Sequence, residues 1–279
     1  MLNDFINKTV KILRDSDIRI HMPEHCEVEI KEHPIQRMNL VSKCCINKLE
    51  DNLIFHLMVF FSLLDSFIDS KFPELDGISF KQKYLRLRRE SDNEIIIKEV
   101  FRILKIFRNA STHSKSAIII QSNSNILVNY QFNRTDFTLN LTKKALVLIY
   151  YVIFLFLDNE RYSKYYLSGL LRTYYDDLKS EIMIINDDIG NCLDNISNGL
   201  RLKRIRRYKV LNPIYKLDSS TGTISICRFN VPELESQYCS CDYLVKLHEE
   251  NYLIPDEVLG QIGDISLSES ENWKLENIV

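Results

Sequence analysis

The chain has 279 residues, of which 45% are hydrophobic and 27% charged, with a net charge of −2. That is enough apolar chain to bury at least one full core, and it excludes the disordered and fibrous classes. No basic stretch leading into an apolar core opens the chain, and the longest apolar run, residues 145–157, is shorter than the roughly 20 residues a membrane span needs. A cytoplasmic protein without a membrane partner is therefore expected.

Seven cysteines without regular spacing read as reduced, packed thiols rather than a disulfide framework. Charge is uneven: residues 249–279 carry eight acidic side chains against one lysine, which leaves the body mildly basic. The acidic tail reads as a solvated segment, the alternative being a cover for a basic surface.

In chain order, apolar residues at Leu2, Phe5, Ile6, Val10 and Leu13 predict a short first helix over 2–14. A connector follows to Met38, with two prolines, three histidines and an alternating segment, Cys26 to Ile30, that reads as a strand or extended arm. The proline-free and glycine-free stretch from Asn39 to Ser70 is apolar at helical spacing and predicts a long core helix, broken by Pro73 and Gly77. After a basic piece from Lys81 to Arg89, Ser91-Asp92-Asn93 caps a second periodic helix running through Phe107.

Beyond it, residues 117–121 and 126–132 form a hairpin signal around Ser122 to Asn125, with a third strand at 136–141. Two further helices are predicted over 143–157 and 162–185. A basic stretch at 201–209 and a hairpin, 210–217 with 223–229, mark an accessory region. These elements predict a mostly α chain in three parts: an N-terminal helix and connector at 1–38, a helical bundle at 39–185 with a β insertion at about 117–141, and a smaller mixed α/β region at 186–279 with its acidic tail.

Chemistry concentrates in one place. Arg108 and His113 lie five residues apart at the end of the second periodic helix, and a guanidinium that can clamp a phosphate with an imidazole that can move a proton is the smallest kit for cutting RNA without metal. Sixteen arginines and six histidines produce such pairs by chance, and Arg14 with His21 and Arg19 with His25 are two more. Those two fall in the proline-containing connector; only Arg108 and His113 have a rigid mount. On a helix they stand about 140° apart, whereas Asn109 and His113 share a face, so Asn109 can orient the imidazole while the longer Arg108 reaches round. Ser111 and Thr112 add hydroxyls.

The Arg-Asn-x-x-x-His pattern of Arg108, Asn109 and His113 resembles the HEPN superfamily of helical-bundle ribonucleases and nucleotide-binding proteins. Outside the motif the likeness is architectural and covers about residues 39–185; the β insertion departs from the simplest bundle of that family. The resemblance implies a homodimer with two motifs facing one another across a composite active site. It also implies a role in toxin–antitoxin or anti-phage systems, with an antitoxin or regulatory partner. The chemistry it implies is attack of a 2′-hydroxyl on the neighbouring phosphate of an RNA substrate, leaving a 2′,3′-cyclic phosphate and a 5′-hydroxyl. In it His113 is general base or acid, Arg108 stabilises phosphoryl charge, and Asn109 holds the imidazole or the ribose. No cofactor and no metal enter that reaction.

Asp65 and Asp69 lie four apart on the long preceding helix, and Asp65 is placed to anchor Arg108, the alternative being two surface acids. The basic run Arg201, Lys203, Arg204, Arg206, Arg207 and Lys209 is a weaker candidate for RNA-backbone contact against a solvated face. His21, His25, Cys26 and His33, like Cys239, Cys241 and His248, lack the paired spacing of zinc sites. No Gly-rich phosphate loop, Gly-x-Ser-x-Gly elbow or His-Glu-x-x-His is present. The rival readings are a non-cutting module that binds RNA or protein, and a structural helical regulator.

Overall fold

The computed structural model describes residues 6–7, 9–10, 24–29, 37–40, 53–113, 117–122, 125–157, 162–203, 206–229 and 239–275. Two compact units interleave along the chain: the first takes 1–21, 44–157 and 174–198, the second 22–43, 158–173 and 199–279. The boundaries expected at 38 and 185 do not coincide with theirs.

In chain order the elements are β1 (Glu24–Glu29), β2 (Arg37–Leu40), α1 (Leu53–Lys71), α2 (Phe80–Arg86), α3 (Asp92–His113), β3 (Ile118–Ile120), β4 (Asn125–Phe132), β5 (Thr135–Thr142), α4 (Lys143–Leu157) and α5 (Lys164–Ser180). They continue with β6 (Ile182–Asn186), β7 (Arg206–Val210), β8 (Tyr215–Asp218), β9 (Thr223–Ile226), β10 (Cys239–Leu247), β11 (Glu250–Pro255), β12 (Asp264–Ser266) and α6 (Leu267–Ser270). Twelve strands in three sheets among the described residues overturn the expectation of a mostly α chain with a helical bundle: the fold is mixed α/β.

In the first unit α1, α3 and α4 pack on one another. Phe60 stacks on Tyr150 at 3.8 Å and meets Phe154 edge-on, while Phe61 lies against Phe80 and Phe101. Eleven residues of α4 between Ala145 and Phe156 are buried, the pattern of a helix that is apolar nearly all round. At 15 residues it is short for a bilayer, and no described helix is long and apolar enough to cross one.

The expected hairpin is there and belongs to an antiparallel sheet in the order β3-β4-β5-β6. Asn133 and Arg134 both take positive φ between β4 and β5, as a two-residue hairpin turn requires. Ile126, Val128, Tyr130, Phe137, Leu139, Leu141 and Ile185 fill its buried face. β6 replaces the end of the helix expected over 162–185, because Ile182-Met183-Ile184-Ile185 favours a strand and pairs with β5.

The second unit is built on a five-stranded sheet, β11-β10-β7-β1-β2, in which β7 runs parallel to both β1 and β10. A second, three-stranded sheet is ordered β12-β9-β8. The tail expected to be solvated instead supplies β11, β12 and α6.

Of the predicted first helix only Ile6, Asn7, Thr9 and Val10 are described, and all four are helical. Asn39 and Leu40 belong to β2 rather than to the long helix, which is described from Leu53 onward; residues 41–52 lie outside the described set. The piece from Lys81 onward, read only as basic, forms α2, capped by Ser79 accepting from the Gln82 amide.

A candidate site at the end of α3

α3 starts with a reciprocal cap: Ser91 Oγ accepts from the Glu94 amide and Glu94 Oε2 accepts from the Ser91 amide. Its apolar side, including Val100, Phe101, Leu104 and Phe107, is buried. The other side carries Lys98, Arg102 and Lys105, one or two turns apart, and these are buried as well. Charges taken from water need partners, and for Arg102 and Lys105 a strap of chain at 187–198 provides most of them.

Every N–H direction of the Arg102 guanidinium is used. Nε and Nη2 donate to the two carboxylate oxygens of Asp187 at 3.0 and 2.8 Å, and Nη1 donates to Glu99 at 3.2 Å. The remaining bonds go to the carbonyls of Cys192 and Gly190, both at 2.8 Å. Asp187 Oδ1 also accepts from the amides of Ile189 and Gly190, which folds the strap into a turn. Glu99 accepts from the Tyr84 hydroxyl at 2.6 Å; burial pushes the Glu99 carboxyl above its ordinary pKa despite Tyr84 and Arg102.

Lys98 donates to the Leu87 carbonyl at 3.1 Å, and burial lowers its pKa. Further along, Tyr175 donates to the Asp194 carbonyl, and Asp92 accepts from the amide and hydroxyl of Ser197.

The predicted motif lies at the far end of this stripe, and α3 continues unbroken through His113. Arg108 and Asn109 are both half-buried, and Arg108 Nη1 donates to Asn109 Oδ1 at 3.3 Å. The guanidinium rests over the Phe80 ring, 4.9 Å from its centroid. Asn109 faces β4. Burial raises the Tyr130 hydroxyl pKa, the nearby Asn109 amide opposes that, and the hydroxyl itself makes no aligned hydrogen bond. The side chain of His113 lies outside the described set, so the expected Asn109–imidazole contact falls there too.

The supporting residues are placed differently from expectation. Asp65 does not anchor Arg108: Asp65 and Asp69 both accept from Lys83, at 2.5 and 2.6 Å. Burial alone would lower the Lys83 pKa, but the two carboxylates hold it above its ordinary value. Ser111 and Thr112 spend their hydroxyl protons inside the helix, as back-bonds to the carbonyls of Phe107 and of Arg108 or Asn109.

The basic run at 201–209 is largely structural. Arg207 sits on the central strand β7, fully buried, bidentate to Asp242 at 2.9 and 2.6 Å and bonded to Glu257 at 2.8 and 3.0 Å. Tyr166 donates to the same Asp242 at 2.7 Å. Arg201 donates to the Gly199 carbonyl, Lys203 to that of Cys239, and Arg206 is half-buried on β7; Arg204 lies outside the described set. An RNA contact through Arg207 is ruled out by its burial.

The sequence reading missed Glu99, Arg102, Lys105, Asp187 and Asp188. Their signal was present: charges at helical spacing on a helix otherwise apolar demand buried counter-charges. An open depression of about 370 Å³ runs along β6 and the strap, lined in part by Lys179, Met183, Asn186, Cys192 and Leu193, and the motif residues do not line it. Among the described residues no group of three or more His, Cys, Asp or Glu side chains is arranged to hold a metal. No family model, characterised protein or solved structure matches this chain, so any chemistry assigned to it rests on its own side chains.

Proposed function

We propose that the chain is a metal-independent endoribonuclease that uses Arg108, Asn109 and His113. One observation carries this reading. The buried arginines Arg102 and Arg207 are each saturated by two carboxylates, whereas no described carboxylate lies within ion-pair distance of Arg108. A half-buried guanidinium steadied by one amide and one ring, yet left without an anion, suits a phosphate.

In the proposed reaction an imidazole takes the proton of the ribose 2′-hydroxyl, and the oxygen attacks phosphorus. The bond from phosphorus to the 5′-oxygen breaks, and that oxygen receives a proton from an imidazolium. Arg108 offsets charge building on the non-bridging oxygens, and Asn109 Oδ1 fixes the guanidinium. A homodimer bringing two motifs together would supply base and acid from separate copies of His113. A toxin or anti-phage role, with a regulatory partner, belongs to the same proposal and draws on the resemblance of the motif to the HEPN pattern.

The test is incubation of the purified protein with total RNA in the presence of a chelator, beside Arg108→Ala and His113→Ala. Cleavage abolished in both variants, leaving cyclic phosphate ends and intact DNA of the same sequence, is the expected result. Equal cleavage by the variants, or none by the unaltered protein, would sink the proposal; RNA retained without being cut would select the binding module.

A further inference from the structure

The motif has a second cationic feature beside it. Lys105 lies one helical turn before Asn109, on the same face of α3, and Lys81 follows the Phe80 that carries the Arg108 guanidinium. Both ammonium groups converge on Asp188: Lys105 Nζ donates to Oδ1 at 3.0 Å, and Lys81 Nζ reaches Oδ2 at 3.1 Å. With Lys105 one turn from Asn109 and Lys81 next to the Phe80 ring under Arg108, Asp188 lies on the flank of the motif.

Exposure is graded across the three side chains: Lys105 at 3%, Asp188 at 18% and Lys81 at 51%. Lys105 also lies 4.0 Å from the buried Asp187, which Arg102 already holds, whereas its nearer anion, Asp188, is open to water. Burial alone would raise the Asp188 pKa; the hydrogen bonds and charges of Lys105 and Lys81 hold it below its ordinary value, so it is an anion at neutral pH. Its backbone is fixed, because Arg102 holds Asp187 and the Gly190 carbonyl, but the Asp188 carboxylate has no backbone bond of this kind and can leave by side-chain rotation.

From this geometry we infer that Lys81 and Lys105 form a backbone-phosphate subsite for single-stranded RNA, closed in the free protein by Asp188 as an internal anion. A phosphate of the strand takes the position of the carboxylate between the two ammonium groups, with the neighbouring scissile phosphate on Arg108. Asp188 then sets how strongly the strand must bind before the subsite opens. The inference rests on the ribonuclease reading above.

Binding of a short fluorescein-labelled single-stranded RNA, followed by anisotropy over a range of salt, tests it in the full chain carrying His113→Ala so that the strand stays intact. Asp188→Asn should tighten binding by about tenfold and steepen the slope of log affinity against log salt by about 0.7 for each additional phosphate neutralised. Lys81→Ala should cost little with Asp188 in place and should cancel the tighter binding when combined with Asp188→Asn. Glu74→Gln, which removes an exposed acid between α1 and α2, should change neither quantity. The thermal midpoint of each variant shows that it is folded. Unchanged affinity in Asp188→Asn, or strictly additive effects of the two substitutions, would overturn the subsite while the unaltered chain still cuts total RNA. Absence of both binding and cleavage in every protein would overturn the subsite and the ribonuclease reading together.

Discussion

Arg102 and Asp187 meet through two parallel hydrogen bonds of 3.0 and 2.8 Å, 85 residues apart in sequence and with the Asp187 side chain fully buried. The pair ties the strap at 187–198 to the polar side of α3. Arg102→Ala should therefore leave Glu99 without its paired guanidinium and Asp187 with only Lys105, 4.0 Å away, and cost about 3–5 kcal/mol. Denaturant midpoints measure the loss, and hydrogen exchange at the Ile189 and Gly190 amides should quicken because their acceptor is no longer held. A midpoint within error of the unaltered protein would contradict this.

Arg108 is expected to behave in the opposite way. It contributes one 3.3 Å hydrogen bond and a contact with Phe80, so Arg108→Ala should cost no more than about 1 kcal/mol of stability. RNA cleavage should fall by about a hundredfold or more, the scale of losing one transition-state charge donor. Unfolding curves and cleavage rates on one protein preparation separate the two effects; parallel losses would mark Arg108 as structural.

Tyr150 is stacked on Phe60, and its hydroxyl is buried without a hydrogen-bond partner. Removing an unsatisfied polar atom while keeping the ring should leave stability unchanged or raise it by about 1 kcal/mol. The urea midpoint of Tyr150→Phe reads this, and a fall of similar size would reveal a partner for the hydroxyl.

Glu257 gives the second unit a pH signature. Burial would raise its pKa, but the hydrogen bonds and charge of Arg207 hold it below the ordinary value of 4.5. A carboxyl with a depressed folded pKa stabilises fully above its unfolded pKa, and that contribution is lost as pH falls through the folded value. Glu257→Gln should hence unfold more readily than the unaltered chain at pH near 7, and the gap should close in strong acid. Thermal midpoints of the two proteins across that range provide the check, and a gap independent of pH would refute it.

Local pattern was enough for some of this protein. The 3.6-residue period located α1, α3 and α4, the Ser91 cap fixed where α3 begins, and the turn-rich residues between β-prone runs marked β3, β4 and β5. The rigid mounting of Arg108 and Asn109 on one helix end was legible for the same reason: each signal involves neighbours within a few residues.

Only the tertiary structure decided the rest, because those features depend on residues brought together from far along the chain. β7 pairs in parallel with β1, about 180 residues earlier, and a parallel pairing leaves no turn signal between its strands. Arg207 looked like part of a solvated basic face until Asp242 and Glu257, 35 and 50 residues on, closed over it. The same holds for Asp65, claimed by Lys83, and for Arg102 and Lys105 of α3, which meet the carboxylates of a strap more than 80 residues later. Sequence periodicity reports which side of an element is apolar; which charges are buried together is set by long-range packing, since the cost of desolvating each one is met only by its partner.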